Sequence, residues 1–522
     1  MLRDVVGTFL SSLTEREFDA PLLALLARQD FTDVHFIHGA FEFGKDVIAK
    51  RVCPDTGELS QYAIQSKAGD IGLSGWREVR PQLEESSYNT RAHPNYDPSL
   101  KRVAVLVTTG RLKGAAGVDA QEYKQSVEAR SDARVEFWDV VTLTGWLCDD
   151  PESGLLGRPN EAFLDIVSGV TARGLRESDI EKYTRRWLSE DGGRSNALAV
   201  ACIEAAVICN KLRTRKRLDL AAAVALQLLR AAVTAGEDEE NKVAASARRL
   251  FVSYADQLLC QAEPFLDDRY ALARTTAGPF SIATYPVLAL RLFEIFGLLA
   301  MVAEAEGEAA ISGRARDAVV NLASKHPGSA RPISDDFAVS LLAPVLVLHS
   351  RDRALCERYL HAVAEWIIDR HDSEAAGLGL GAVGDSEEAI VERILGGFLE
   401  STSLKLRRQS FVATVVLDLT SLVGLRRLHD AFRANLEALD IQPIELAVAL
   451  ERAAWRRGGE GVGSPQGLQF PNRYASVDNP EGKSGSLPAL ALASVSRSWY
   501  TLDSLAYLFR GSVPNAAVED ET

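Results

Sequence analysis

Two strand-like segments joined by one strong turn constrain this chain more than any other feature. Asp46–Arg51 follows a glycine-containing turn, and Gln61–Lys67 alternates, with Tyr62, Ile64 and Ser66 on one side and Ala63, Gln65 and Lys67 on the other. Between them lies Pro54-Asp55-Thr56-Gly57, where proline presets φ and glycine supplies the positive φ a tight reversal needs. A hairpin is the expectation. Strand side chains alternate with period two, so Gln65 and Lys67 share a face, and pairing brings them to the end where Asp46 opens its strand.

The surroundings fit an α/β domain over residues 1–150. Residues 14–29 show a helical start, with Thr14 and Glu17 in a capping-box pattern and Phe18, Leu22, Leu25 and Leu26 on one face. Val34–His38 is a short apolar strand. After the hairpin come a helix at about Gly75–Ser86, a Val-rich strand at Arg102–Thr108, a helix at Asp119–Arg130, a strand at Arg134–Asp139 and a short helix at Val141–Leu147. The order α-β-β-β-α-β-α-β implies a mixed sheet flanked by helices.

Beyond the Pro151–Asn160 loop the character changes. Residues 170–457 are Ala/Leu-rich with helical periodicity, as in Ala197–Leu212, Leu218–Thr234, Asn241–Gln261, Tyr285–Glu304 and Arg353–Asp372. No fixed repeat period emerges, so an all-helical domain of about ten helices, in a bundle or irregular solenoid, is expected. Residues 458–522 comprise a Gly/Pro/Ser/Asn-rich loop over 458–490, a last helix at Ala489–Phe509 and an acidic tail. The longest uncharged apolar runs, such as Phe337–Leu348 and Pro279–Leu290, fall short of the roughly 18 residues of a membrane span. Six scattered cysteines form no CxxC pair, and no basic segment precedes an apolar run at the N-terminus. A cytoplasmic location with reduced thiols and no membrane association is the expectation.

Asp46, Gln65 and Lys67 are what metal-assisted phosphodiester hydrolysis requires. A carboxylate and a second oxygen ligand hold Mg²⁺, and a lysine orients or deprotonates the attacking water and offsets developing negative charge.

At these residues the chain resembles the restriction-endonuclease-like (PD-(D/E)xK) nucleases, especially their Mrr-type branch. Those proteins carry an acidic residue and a glycine before an aspartate at a strand start, then Asp, Glu or Gln, one spacer and Lys on the next strand. This chain supplies Glu42, Gly44 and Asp46, followed by Gln65-Ser66-Lys67. The resemblance covers about residues 14–147. It implies that Asp46 and Gln65 bind the metal, Mg²⁺ or Mn²⁺, and that Lys67 is the catalytic lysine. Glu42 matches the preceding acidic position, and Glu17 or Asp19 supplies the acidic residue that the family often carries on its first helix. The neutral Gln65 stands where many relatives have a carboxylate, and the Mrr-type branch resembles this chain in using Gln.

What this implies is a Mg²⁺-dependent endonuclease cleaving DNA, with RNA open. Its biological setting would be prokaryotic anti-phage defence or restriction. The helical domain would regulate it by oligomerising or binding a partner protein. The alternative is a nuclease fold that has lost catalysis and binds nucleic acid or protein within a larger complex. Charge restrains the reading. The chain carries a net −14, and residues 1–150 hold 17 Lys+Arg against 23 Asp+Glu, so no part is a basic module and phosphate contacts must be local.

Other features are weaker. Gly39-x4-Gly44-Lys45 nearly spells a phosphate-binding P-loop, but Asp46 replaces the Ser/Thr that holds Mg²⁺, and a strand rather than a helix is expected next. Lys45 stays as a solvated surface lysine or a weak nucleic-acid contact near the site. His35, His38 and His93 lack partners at metal-ligand spacing and read as structural. Arg213-Thr214-Arg215-Lys216-Arg217 reads as a solvated turn between helices, with a nucleic-acid or partner contact as the minority reading.

Overall fold

The computed structural model describes residues 2–37, 45–53, 57–89, 93–130, 133–157, 161–172, 174–188, 197–234, 242–373, 377–396, 404–446 and 465–467. Glu42, Gly44, His38, most of the Pro54–Gly57 turn and nearly all of residues 447–522, with the expected last helix, lie outside them. The chain divides into two compact units, Met1–Leu175 with Ser189–Arg215, and Arg176–Leu188 with Lys216–Thr522.

The first unit opens with α1 (Arg3–Ser12), which sequence periodicity did not single out, and α2 (Glu15–Arg28). At the head of α2 both the Thr14 backbone N–H (3.0 Å) and its hydroxyl (2.8 Å) donate to Glu17 Oε2, satisfying a donor the helix leaves open. Phe18, Leu22, Leu25 and Leu26 are buried along the expected face.

Five strands follow as one sheet in the order β1-β2-β3-β4-β5: β1 (Thr32–Phe36), β2 (Val47–Val52), β3 (Leu59–Lys67), β4 (Lys101–Thr108) and β5 (Arg134–Trp138). β1, β2 and β3 pair antiparallel, and β4 and β5 add in parallel. Parallel neighbours need crossovers, supplied by α3 (Leu73–Tyr88) and α4 (Ala115–Ala129). These helices bury Trp76, Leu83, Ala120 and Val127 against Leu106 and Val135. On the Tyr62 side, the Phe31 ring meets Tyr62 at 4.9 Å and Trp138 at 5.7 Å, edge to face. α5 (Val140–Asp149) starts on Asp139, whose carboxylate accepts from the backbone of Val141 and Thr142. The mixed sheet flanked by helices is therefore present, with strand bounds within two residues of expectation.

The first unit runs past residue 150. α6 (Glu161–Ala172) and α8 (Ala197–Thr214) belong to it, and α8 packs on α1, α6 and the turn Pro151–Leu155. Residues Ala201–Cys209 of α8 are buried without a break, so this helix is an interior element rather than the start of a separate helical domain.

The second unit contains α7 (Glu177–Thr184), α9 (Leu218–Thr234), α10 (Lys242–Leu266), α11 (Ala271–Thr275), α12 (Ser281–Ala305), α13 (Ala309–Lys325), α14 (Leu342–Arg351), α15 (Arg353–His371), α16 (Glu387–Gly396), α17 (Phe411–Leu422) and α18 (Arg426–Ala438). α12 is long and apolar enough to cross a membrane, yet most of it is buried among α10, α13 and α14. Gly297 is what lets α14 approach, since a Cβ there would stand 2.6 Å from the Pro344 nitrogen. The unit is not wholly helical. β6 (Gln409–Ser410) pairs parallel with β7 (Gln442–Leu446), which pairs antiparallel with β8 (Pro465–Gly467). β6 and β8, of two and three residues, are too short to show a period of two in sequence, and Pro443 inside β7 argues against a strand there.

Candidate functional site

The hairpin register decides the site. Val47 pairs with Ile64, and the Asp46 N–H donates to the Ile64 carbonyl at 2.9 Å, so Asp46 stands beside the last turn of β3's ladder. Its Oδ2 accepts from the Gln65 amide Nε2 at 2.8 Å and from the Ser66 backbone N–H at 2.7 Å. Gln65 and Ser66 are buried, and both bonds are charge-assisted. Asp46 and Gln65 are thus brought together as the alternation required.

Lys67 closes β3 opposite Thr108 of β4. Its Nζ lies 3.0 Å from Glu15 Oε1, with the lysine side chain 28% exposed. Two residues beyond, the Gly69 carbonyl accepts from Thr108 Oγ1 at 2.6 Å and the Gly69 N–H donates to Thr109 Oγ1 at 2.9 Å. Gly110 packs so tightly there that a Cβ would fall 2.2 Å from the Gly69 carbonyl carbon. The strand end carrying Lys67 is therefore fastened to β4 by backbone and hydroxyl contacts.

The acidic partner from the first helix is Glu15, which sequence reasoning missed. Glu17 is committed to the Thr14 cap. Asp19, half-buried, lies one turn beyond Glu15 on the same helix face. The i, i+4 relation that places Glu15 beside Asp19 on the helix face was the clue available in the sequence. Glu42 lies outside the described residues.

Lys45 corrects the expectation of a solvated lysine or nucleic-acid contact. Its side chain is fully buried, with the ammonium 5.7 Å from the Tyr96 ring centroid. Desolvation pushes its pKa down to about 8, and the Glu85 carboxylate pulls it partly back. An ammonium held against an aromatic ring inside the fold is not presented to a phosphate backbone. The strand β2 that follows leaves no helix N-terminus for a P-loop.

The histidines form a polar cluster on the β1 side. His35 Nε2 is 3.1 Å from Asp33 Oδ1 and 2.6 Å from Asn95 Nδ2, and its ring stacks on His93 at 4.5 Å. Lys50 Nζ neutralises Asp33 at 2.6 Å and with His35 holds its carboxyl below the usual range. In the basic stretch, Arg213 donates to Asn210 Oδ1 and Arg217 pairs with Asp219, while Lys216 takes φ of 60° in the turn before α9. None of the six cysteines is in a disulfide.

The donor set suits a hard cation. Asp46 offers a carboxylate, and rotating the Gln65 amide by half a turn replaces its N–H₂ with Oε1 at the same place; Mg²⁺ commonly takes one or two protein oxygens and fills its octahedron with water and substrate phosphate. Among the described residues no group of three or more His, Cys, Asp or Glu forms a complete protein cage for a metal. Comparison with family models, curated proteins and solved structures gives no match for this chain.

Proposed function

We propose that the first unit is a restriction-endonuclease-like nuclease domain, Mrr-like in its Gln-x-Lys, and that it hydrolyses DNA phosphodiester bonds with Mg²⁺ or Mn²⁺. The observation that carries this reading is the convergence of Asp46, Gln65 and Lys67 at one end of a mixed sheet, with Asp46 and Gln65 in direct contact at 2.8 Å.

In this reading Asp46 and the rotated Gln65 amide hold the metal. When bound, the ion polarises the scissile phosphate and makes a coordinated water more acidic. Lys67 orients the attacking water and balances the charge that grows on the phosphoryl oxygens. The water oxygen forms the new P–O bond, the bridging P–O bond breaks, and the sugar oxygen leaves with a proton. Glu15 holds the Lys67 ammonium in place from α2, as a positioning residue. Coupling of such a domain to a helical unit suits an intracellular effector of prokaryotic anti-phage defence or restriction, in which the helical unit regulates cleavage by self-association or by a partner protein. This biological setting rests on analogy of architecture.

One observation favours the alternative of a catalytically silent nucleic-acid- or protein-binding fold. Gln65 donates to Asp46 as it stands, an arrangement that neutral Gln stabilises without any metal. The deciding experiment is incubation of the purified chain with supercoiled plasmid and with structured RNA, in Mg²⁺, Mn²⁺ or EDTA, beside Lys67→Ala. Metal-dependent nicking of DNA that the variant lacks supports the proposal. Cleavage of equal strength by Lys67→Ala removes it.

A further inference from the structure

Within the second unit, a cavity of about 440 Å³ lies against α15, the end of α13 and the turn Pro327–Ala330. Three arginines line it: Arg269, Arg331 and Arg358, all exposed. Among the described residues none of the three forms an ion pair, whereas the nearby cations Arg274, Lys325 and Arg351 each face an aspartate. Two carboxylates share the lining, Glu365 and Asp369, but the Glu365 carboxylate sits 3.5 Å from His361 instead of from an arginine. The cavity is thus net positive in a chain of net charge −14.

One of the arginines, Arg331, is set on a firm support. The Arg331 guanidinium carbon lies 5.5 Å from the Trp366 ring centroid. Trp366 is fixed by its indole N–H, which donates to the Pro332 carbonyl at 2.7 Å. Tyr359, buried at the floor, donates its hydroxyl to the Ser329 carbonyl at 2.6 Å and so ties the turn to α15. Arg331 is therefore oriented before any ligand arrives, which lowers the ordering cost of binding.

Glu365 and Asp369 offset two of the three positive charges, which leaves one uncompensated charge and three guanidiniums without an ion-pair partner among the described residues for an anion to meet. Guanidinium forks match phosphate oxygens, and their planes accept a stacked base. The volume fits a small molecule rather than a polymer, and Ala330, Leu355 and Ala362 supply apolar wall. We propose that this cavity is a binding site for a nucleoside phosphate, through which the helical unit receives a small-molecule signal. The inference stands whether or not the first unit is a nuclease.

The test is isothermal calorimetry of the full chain with ADP, inorganic pyrophosphate and adenosine, in EDTA so that no metal contributes. The expected result is one ADP per chain, weaker pyrophosphate and no detectable adenosine. Arg358→Glu and Arg331→Ala should each weaken ADP by about tenfold or more, since a charge-assisted bond is lost. Arg358 has no side-chain partner among the described residues, so the variant should keep its melting temperature. Absence of heat with millimolar ADP, or unchanged ADP affinity in both variants, overturns the proposal. Pyrophosphate binding as tightly as ADP overturns its nucleoside part.

Discussion

The Gln65 amide donates to Asp46 Oδ2 across the β2–β3 pair at 2.8 Å, so the residue proposed as second metal ligand is, without metal, the hydrogen-bond donor to the first. Gln65→Glu would place two carboxylates in that contact. A charge-assisted bond worth about 1.5–3 kcal/mol is then replaced by repulsion, and the variant should melt lower than the parent in EDTA. Two carboxylates also bind a hard cation better than a carboxylate and an amide. Added Mg²⁺ should therefore raise the melting temperature of Gln65→Glu more than that of the parent. Equal Mg²⁺ responses would remove Gln65 from the metal site.

Lys67 and Glu15 form a partly exposed ion pair, which contributes about 1 kcal/mol or less to folding. Stability and activity should separate accordingly. Lys67→Ala should lower plasmid cleavage by about 10²-fold or more while its thermal melt stays close to the parent. Glu15→Gln keeps the shape but loosens the ammonium, and should lower the cleavage rate with a smaller effect on the concentration of DNA needed for half-maximal rate. A Glu15→Gln enzyme with parental cleavage would mean that Glu15 merely caps a surface charge.

How far the sequence displayed this site follows from the range over which each interaction acts. Asp46, Gln65 and Lys67 were legible because period-two alternation and a Pro-Asp-Thr-Gly turn are local, and the five-stranded sheet followed from the order of short periodic segments. Glu15 was not, because Lys67 lies 52 residues away and the capping box drew attention to Glu17. Lys45 was misread because burial of a charge depends on what packs over it, here Tyr96. The placement of α8 with α1 was invisible for the same reason: an Ala-rich helix buried on every side carries no stripe to say which neighbour it faces.

In the second unit His371 is buried, its Nδ1 against the Ile367 carbonyl at 2.7 Å and its Nε2 without a protein partner among the described residues. Burial holds its pKa below the usual value, against the opposing pull of the Ile367 carbonyl and of Asp335; the Arg407 and Arg370 charges reinforce the shift. The unfolded chain thus binds the proton at about 6.5 and the folded chain only at lower pH. Stability from this group is complete above about pH 6.5, falls as pH drops toward the folded value, and is level below it. Melting curves of the parent from pH 7.5 to 5 should show this decline, and His371→Gln should flatten part of it. Parallel pH profiles for the two proteins would assign the acid sensitivity elsewhere.

The last prediction concerns the backbone that fastens Lys67. Gly110 lies where a Cβ would meet the Gly69 carbonyl carbon at 2.2 Å and the Asp70 nitrogen at 2.3 Å. These atoms belong to main chain, so no side chain can swing away, and Gly69 itself takes φ of 76°. Gly110→Ala must therefore push the Gly69 loop off β4, straining the Thr108 and Thr109 hydroxyl bonds and shifting the end of β3. Overpacking of this kind costs about 1–3 kcal/mol. The Lys67 ammonium, two residues before Gly69, would move with the strand end, and displacements near 1 Å can cost about 10²-fold in rate. Gly110→Ala should thus lose cleavage out of proportion to its loss of stability, in contrast to Gly297→Ala, which crowds Pro344 in the other unit and should lower its melting temperature while leaving residual cleavage per folded molecule unchanged. Cleavage by Gly110→Ala that falls only as far as its folded fraction would show that the Gly69 clamp supports the sheet and not the site.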